Sequence, residues 1–181
     1  MIERGAGRVC EIQRRDDNRD VARILLVGGG ARGRALAARL HASGHAVRIT
    51  TRTEAGRAAI EAAGAECWIG TPDRLASLRY ALDNVTLACW LLGTASGTPA
   101  EIEALHGSRL AFFATQTIDT TVRGLVYEAA GCVDAKVLVA GREEIAAKAA
   151  YNEIPLRIID ADPAAVDAWV AQAEQAIVSL L

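Results

Sequence analysis

Three glycines in the spacing G-x-G-x-x-G, Gly28, Gly30 and Gly33, stand directly after the apolar run ILLV. In a turn from strand to helix, the first permits a tight bend and the second lets a diphosphate approach the backbone. The third lets the helix lie close to the strand. The amides of such a turn, here including those of Ala31 and Arg32, meet an anion together with the positive end of the helix dipole. The chemistry these residues suit is binding of a dinucleotide by its diphosphate. About twenty residues further on, RITTRT places Thr51 and Arg52 where an acid would take hydrogen bonds from an adenosine ribose 2′-hydroxyl. A hydroxyl and a permanent cation suit a 2′-phosphate instead, which selects NADP(H). Arg32, within the loop, is expected to reach the same phosphate.

The elements that must hold this turn can be read from periodicity. Strand-like runs cover residues 23–27, 46–50, 65–69, 85–92, 123–129 and 156–160. Between the first two, Leu36, Ala37 and Leu40 share one helical face and Gly44 supplies the stop. Thr53 is a good N-cap for a second helix that ends before Gly64. The segment 98–121 is ambiguous. Its LAFFAT stretch reads as a strand by composition, whereas Leu105, Leu110, Phe113 and Thr117 roughly keep helical spacing. RGLVYEA is the better fifth strand, because the turn-like DTT precedes it and AAG follows. GREEIAAKAAYNEI is helical by propensity, and an apolar stripe from Val166 to Ile177 gives a final amphipathic helix. Six strands separated by helices predict an α/β doubly wound fold. Its parallel six-stranded sheet has order 3-2-1-4-5-6, the Rossmann arrangement. Residues 21–181 make up this domain, with no separate substrate domain. Residues 1–20 are polar, without periodicity, and read as a mobile extension.

The 181 residues suit one core. A formal net charge of −2 removes any global argument for nucleic acid or an anionic membrane as partner, and the longest apolar run, 85–92, is too short to span a bilayer. Cys10, Cys67, Cys89 and Cys132 lack metal-ligand spacing, and His41, His45 and His106 are scattered. The expectation is no metal site, no disulfide framework and a cytoplasmic setting.

At this point the chain resembles a known family. ILLVGGGARGRALAARLHASGHAVRITTR, followed by GAECWIGTPDRLASLRYALDNVTLACWLLG, is similar to the N-terminal part of extended and atypical short-chain dehydrogenases. These include the NAD-dependent epimerase/dehydratase and NmrA-like proteins. The resemblance covers about residues 23 to 93. It implies that Thr71 lines the adenine and that Gly93 and Thr94 pass near the nicotinamide ribose. Two departures stand out. The family often has Asp directly after the third-strand glycine, where Thr71 follows Gly70 here. The family also relays a proton through a Tyr whose pKa is lowered by a Lys four residues later. Here Tyr80, Tyr127 and Tyr151 are followed at that spacing by Asn84, Gly131 and Pro155, so the pair is absent.

Tyr127 and Glu128, near the C-terminal end of the fifth strand, are the candidates to exchange protons with a substrate in its place. Strand alternation sends them to opposite faces, so at most one can meet a nicotinamide. The competing assignment puts Tyr127 in the core and Glu128 at the cap of the next helix. The expected function is a small NADP(H)-dependent reductase without the Tyr–Lys pair, or a non-catalytic NADP(H) sensor acting through a protein partner. A domain for another nucleotide or for S-adenosylmethionine fits less well, since those sites also usually favour an acid after the second strand. Val166, Trp169, Val170, Ala173 and Ile177, continued by Leu180 and Leu181, predict pairing of two copies.

Overall fold

The computed structural model describes residues 21–181; the extension expected at 1–20 lies outside the described residues. Six strands, β1 (Arg23–Gly28), β2 (Ala46–Thr51), β3 (Glu66–Ile69), β4 (Leu87–Leu91), β5 (Gly124–Glu128) and β6 (Leu156–Ile159), form one sheet. Every pairing is parallel and the order is 3-2-1-4-5-6, as the sequence predicts. A parallel sheet covered on both faces reads as continuous apolar runs at its centre. The central strand β4 accordingly buries all five of its residues, while the edge strand β3 buries none fully.

The helices are α1 (Gly30–Ala42), α2 (Arg57–Glu61), α3 (Pro99–His106), α4 (Ser108–Gln116), α5 (Ala135–Tyr151) and α6 (Val166–Val178). A stretch of 3-10 helix, Leu75–Leu82, links β3 to β4. One core cluster lies under α1, α2 and α6 and is built from Ile24, Leu26, Leu36, Leu40, Leu91, Val126 and Trp169. The other lies under α3, α4 and α5 and includes Leu25, Val27, Trp90, Phe113, Leu125, Tyr127 and Ile145. Alternation along each strand divides its residues between the two.

The ambiguous segment is helical. Thr98 caps α3 with a reciprocal Thr98–Glu101 box and Pro99 opens it, which satisfies orphan amides that a strand would not have. LAFFAT lies within α4, where Leu110, Phe113 and Ala114 face the core and Phe112 faces out. The helical spacing prevails over β-like composition. On α6, Trp169, Val170, Ala173 and Ile177 are buried against this chain's own sheet. Leu180 packs beside Gly124, so most of the stripe that suggested pairing is already covered. Among the described residues, no helix is long and apolar enough to cross a membrane, and no cluster of three or more metal-ligating side chains forms.

Candidate functional site

The chain leaves β1 through three consecutive glycines, all with positive φ: 86° at Gly28, 87° at Gly29 and 53° at Gly30. Only glycine adopts this run without strain. A Cβ at Gly33 would lie 3.0 Å from the Gly28 carbonyl oxygen, so α1 rests directly on the strand end. A Cβ at Gly30, by contrast, would meet nothing within 4 Å. Its backbone is open to the cleft. Gly29 caps α1 without a side-chain bond, and the first turn carries no acid. The amides of Gly30, Ala31 and Arg32 have no partner among the described residues, whereas those of Gly29 and Gly33 are bonded to the Leu91 and Gly29 carbonyls. An anion placed here would meet free donors at the positive end of a helix. The loop therefore fits a diphosphate.

Around it the strand ends form a cleft of about 500 Å³. Of the residues expected from sequence, Gly28, Gly30, Thr51, Arg52, Thr71 and Thr94 line it; Ala31, Arg32, Gly33, Gly93, Tyr127 and Glu128 do not. Arg52 is exposed on the wall beyond β2, beside Thr51, whose hydroxyl donates to the Thr53 carbonyl at 3.3 Å. Thr71 is held in a tight turn. Its amide donates to Ser77 Oγ at 2.9 Å and its hydroxyl donates to Asp73 at 3.1 Å. Asp73 in turn accepts from Arg109 of α4 at 2.6 Å. Asp73, Glu101, Ile102 and Arg109 all line the cleft and were not singled out from sequence. The ambiguity of 98–121 hid the last three, because a strand there would have sent them elsewhere.

The Arg32 side chain turns into the protein, where its Nη2 donates to Glu128 Oε1 at 2.9 Å and to Thr94 Oγ1 at 3.2 Å. Its guanidinium carbon lies 4.9 Å from the centre of the Trp169 ring. A buried carboxylate attracts the cation more strongly than a solvated cleft wall does. Glu128 is fully buried on the α1/α6 face and also accepts from the Gly93 amide at 2.7 Å and the Trp169 indole at 2.8 Å. Burial raises its pKa above the ordinary carboxylate value, while the Gly93 amide, Arg32 and Trp169 oppose that rise.

Tyr127 is equally buried, on the opposite face. Its hydroxyl lies 2.8 Å from His106 Nδ1 and 3.3 Å from the Leu138 carbonyl, while His106 Nε2 lies 3.3 Å from the Leu92 carbonyl. A carbonyl only accepts, so Nε2 carries the hydrogen toward Leu92, and the single phenolic hydrogen is shared between Nδ1 at the shorter distance and the Leu138 carbonyl at the longer one. Burial pushes the Tyr127 pKa up, with Glu128 adding to the shift, and pushes that of His106 down against the Leu92 bond. Both groups are neutral at pH 7. In this arrangement neither Tyr127 nor Glu128 reaches the cleft as a proton donor. Glu128 is not a helix cap either, since Asp134 caps α5.

No known family description matches the sequence, and no curated protein matches it. Solved structures do match. A short-chain dehydrogenase/reductase superfamily protein from Agrobacterium tumefaciens with bound NAD superimposes with a TM-score of 0.62 at 18% identity, over 76% of this chain and 48% of that one. The UDP-glucose 4-epimerase of Thermotoga maritima gives a TM-score of 0.63 at 12% identity, over 76% and 54%. The Citrobacter sp. triphenylmethane reductase complexed with NADP(H) gives 0.55 at 18%, over 76% and 48%. The chain shares with these structures the Rossmann fold of a parallel sheet in order 3-2-1-4-5-6. This chain spans about half the length of the structures it matches.

Proposed function

We propose that this chain binds a nicotinamide dinucleotide, NADP(H) in preference to NAD(H), as an atypical short-chain dehydrogenase-like protein. The observation that carries the proposal is the Gly28–Gly30 turn, with its open backbone at Gly30 and unpartnered amides at the start of α1. In this reading those amides hold the diphosphate, Thr51 and Arg52 take the 2′-phosphate, and Thr71 borders the adenine. Thr94, which follows Gly93 just past β4, lines the wall beyond β4. That wall receives the other half, because a dinucleotide spans the switch point between β1 and β4. The cofactor when bound supplies hydride; the protein's share is to bind and orient it and to exclude water. The bound NAD and NADP(H) of the A. tumefaciens and Citrobacter structures support the class of ligand, and the exposed cation at Arg52 supports the phosphorylated form.

Titration of the protein with NADPH, NADP, NADH and NAD tests this directly. NADPH binds more tightly than NADH, and Arg52→Ala weakens NADPH by about 1.5–3 kcal/mol with little effect on NADH, the range for a hydrogen bond to a charged group. Gly30→Val impairs both, because its side chain fills the diphosphate's approach. Equal affinity for NADH and NADPH overturns the preference, and no binding of either overturns the cofactor reading. A second reading, binding without turnover as in a sensor, is favoured by one observation: both candidate proton donors are sealed away from the cleft. A reductase screen against carbonyl and quinone compounds separates the two.

A further inference from the structure

Glu128 sits where three elements converge, and although neither it nor its direct partners line the cleft, one of them, Arg32, is bonded to a residue that does. Its Oε1 accepts from Trp169 of α6 and from Arg32 of α1, and its Oε2 accepts from the Gly93 amide just past β4. The same Arg32 nitrogen that meets Oε1 also meets the hydroxyl of Thr94, a lining residue. Gly93 itself leaves no room for a side chain. A Cβ there would lie 2.0 Å from the Ala130 carbonyl oxygen and 3.1 Å from the Glu128 carboxyl carbon. The segment beyond β4 is therefore pressed against the end of β5 and fixed there by a carboxylate. Net stability is a poor account of such an arrangement, because desolvating a carboxylate and a guanidinium offsets most of their attraction. Position is a better one. Of the donors to Glu128, the Gly93 amide directly precedes the lining residue Thr94, Arg32 is bonded to Thr94, and Trp169 ties the assembly to α6.

We propose that Glu128 is a positioning residue for the half of the cleft beyond β4. It holds the Gly93 backbone directly and the Thr94 hydroxyl through Arg32, and Trp169 makes the last helix part of the same assembly. Arg32, with its charge already matched by Glu128, then serves the wall and leaves the diphosphate to the loop amides. The proposal rests on the dinucleotide reading above and deepens it: the adenosine half is recognised by residues that Glu128 does not touch.

The test compares two probes, NADPH and 2′,5′-ADP, the latter carrying only the phosphorylated adenosine half. In Glu128→Gln, which keeps the shape and removes the charge, NADPH binds about tenfold or more weakly, the loss of one charged hydrogen-bond anchor, while 2′,5′-ADP binds as before. Trp169→Phe keeps the ring and removes only the indole donor. It shows the same selective loss at smaller amplitude, and it carries the test alone if Glu128→Gln does not fold. Unchanged NADPH affinity in the folded variants overturns the proposal, and so does an equal loss of both probes, which marks a merely structural role. Native protein that binds 2′,5′-ADP but not NADPH also overturns it. Native protein that binds neither overturns the cofactor reading, and this proposal with it.

Discussion

Tyr127 and Glu128 are neighbours on β5 and equally hidden from solvent, yet the two faces of the sheet satisfy them in different currencies. Toward α3 and α5, a phenol, an imidazole and two carbonyls form a short neutral chain. Toward α1 and α6, a carboxylate is matched by a guanidinium, an indole and an amide. The neutral chain stays within one layer and satisfies what is buried there. The charged group reaches across three elements to a lining hydroxyl. A buried polar group that only completes a core can be small and neutral; one that fixes a distant wall gains from charge, because charged hydrogen bonds hold geometry more firmly.

The charged face should be the more costly to break. Glu128→Ala leaves the Arg32 cation buried without its partner, and the expected loss is about 3–5 kcal/mol, measured as a shift in the urea midpoint. A loss below that of Tyr127→Phe would reverse the comparison. On the neutral face the hydroxyl is fitted as tightly as it is bonded. A Cβ at Gly141 would lie 2.3 Å from the Tyr127 oxygen and 2.9 Å from the His106 carbonyl oxygen, so Gly141→Ala costs about 1–3 kcal/mol. Tyr127→Phe leaves His106 Nδ1 unpaired and costs about 1–2 kcal/mol. The double variant loses less than the sum, since the oxygen that the new methyl strikes is gone. Full additivity would mean that the strain falls on the His106 carbonyl instead.

The smallest effect is a pH dependence. Burial holds the folded His106 pKa below its ordinary value, while in the unfolded chain it takes a proton near pH 6.5. This contribution to stability is complete above that pH and declines as the pH falls through it, until the folded imidazole itself protonates. Urea unfolding at pH 7.5 and 5.5 shows the drop, and His106→Gln reduces it. An equal drop in the variant assigns it to other groups.

Much of the architecture was legible because it depends on local pattern. Apolar runs bounded by turns predicted all six strands, and the glycine spacing predicted the βα turn with no help from residues elsewhere. Arg32 illustrates what was not legible. Its position in the loop suggested a phosphate ligand, but its direction is set by Glu128 and Trp169, far along the chain and on other elements. Nothing near Arg32 in sequence announces them. The same holds for His106, whose partner Tyr127 lies on a strand. Competing signals, not missing ones, obscured LAFFAT: its aromatic composition favours a strand, and only the capped helix before it and the core-facing positions decide the matter. The end of β5 drew attention because ligands of open α/β sheets bind beyond the strand ends, but alternation could not say that both side chains there would be enclosed.

The order of the sheet also bears on how the molecule assembles. Arg23 pairs with Ala46 across a single helix, a closure that one βαβ unit completes by itself. Ile24 pairs with Leu87 only after β2, β3 and the segments between them have been placed or bypassed. That seam carries the entropy of a long loop, and long-range parallel pairing is intrinsically slow. The glycine turn lies on one side of the seam and Thr94 beyond the other. The two walls of the cleft thus come from parts of the chain that meet late. A ligand spanning them has little to hold until the structure is nearly complete, so it retards unfolding far more than it hastens folding.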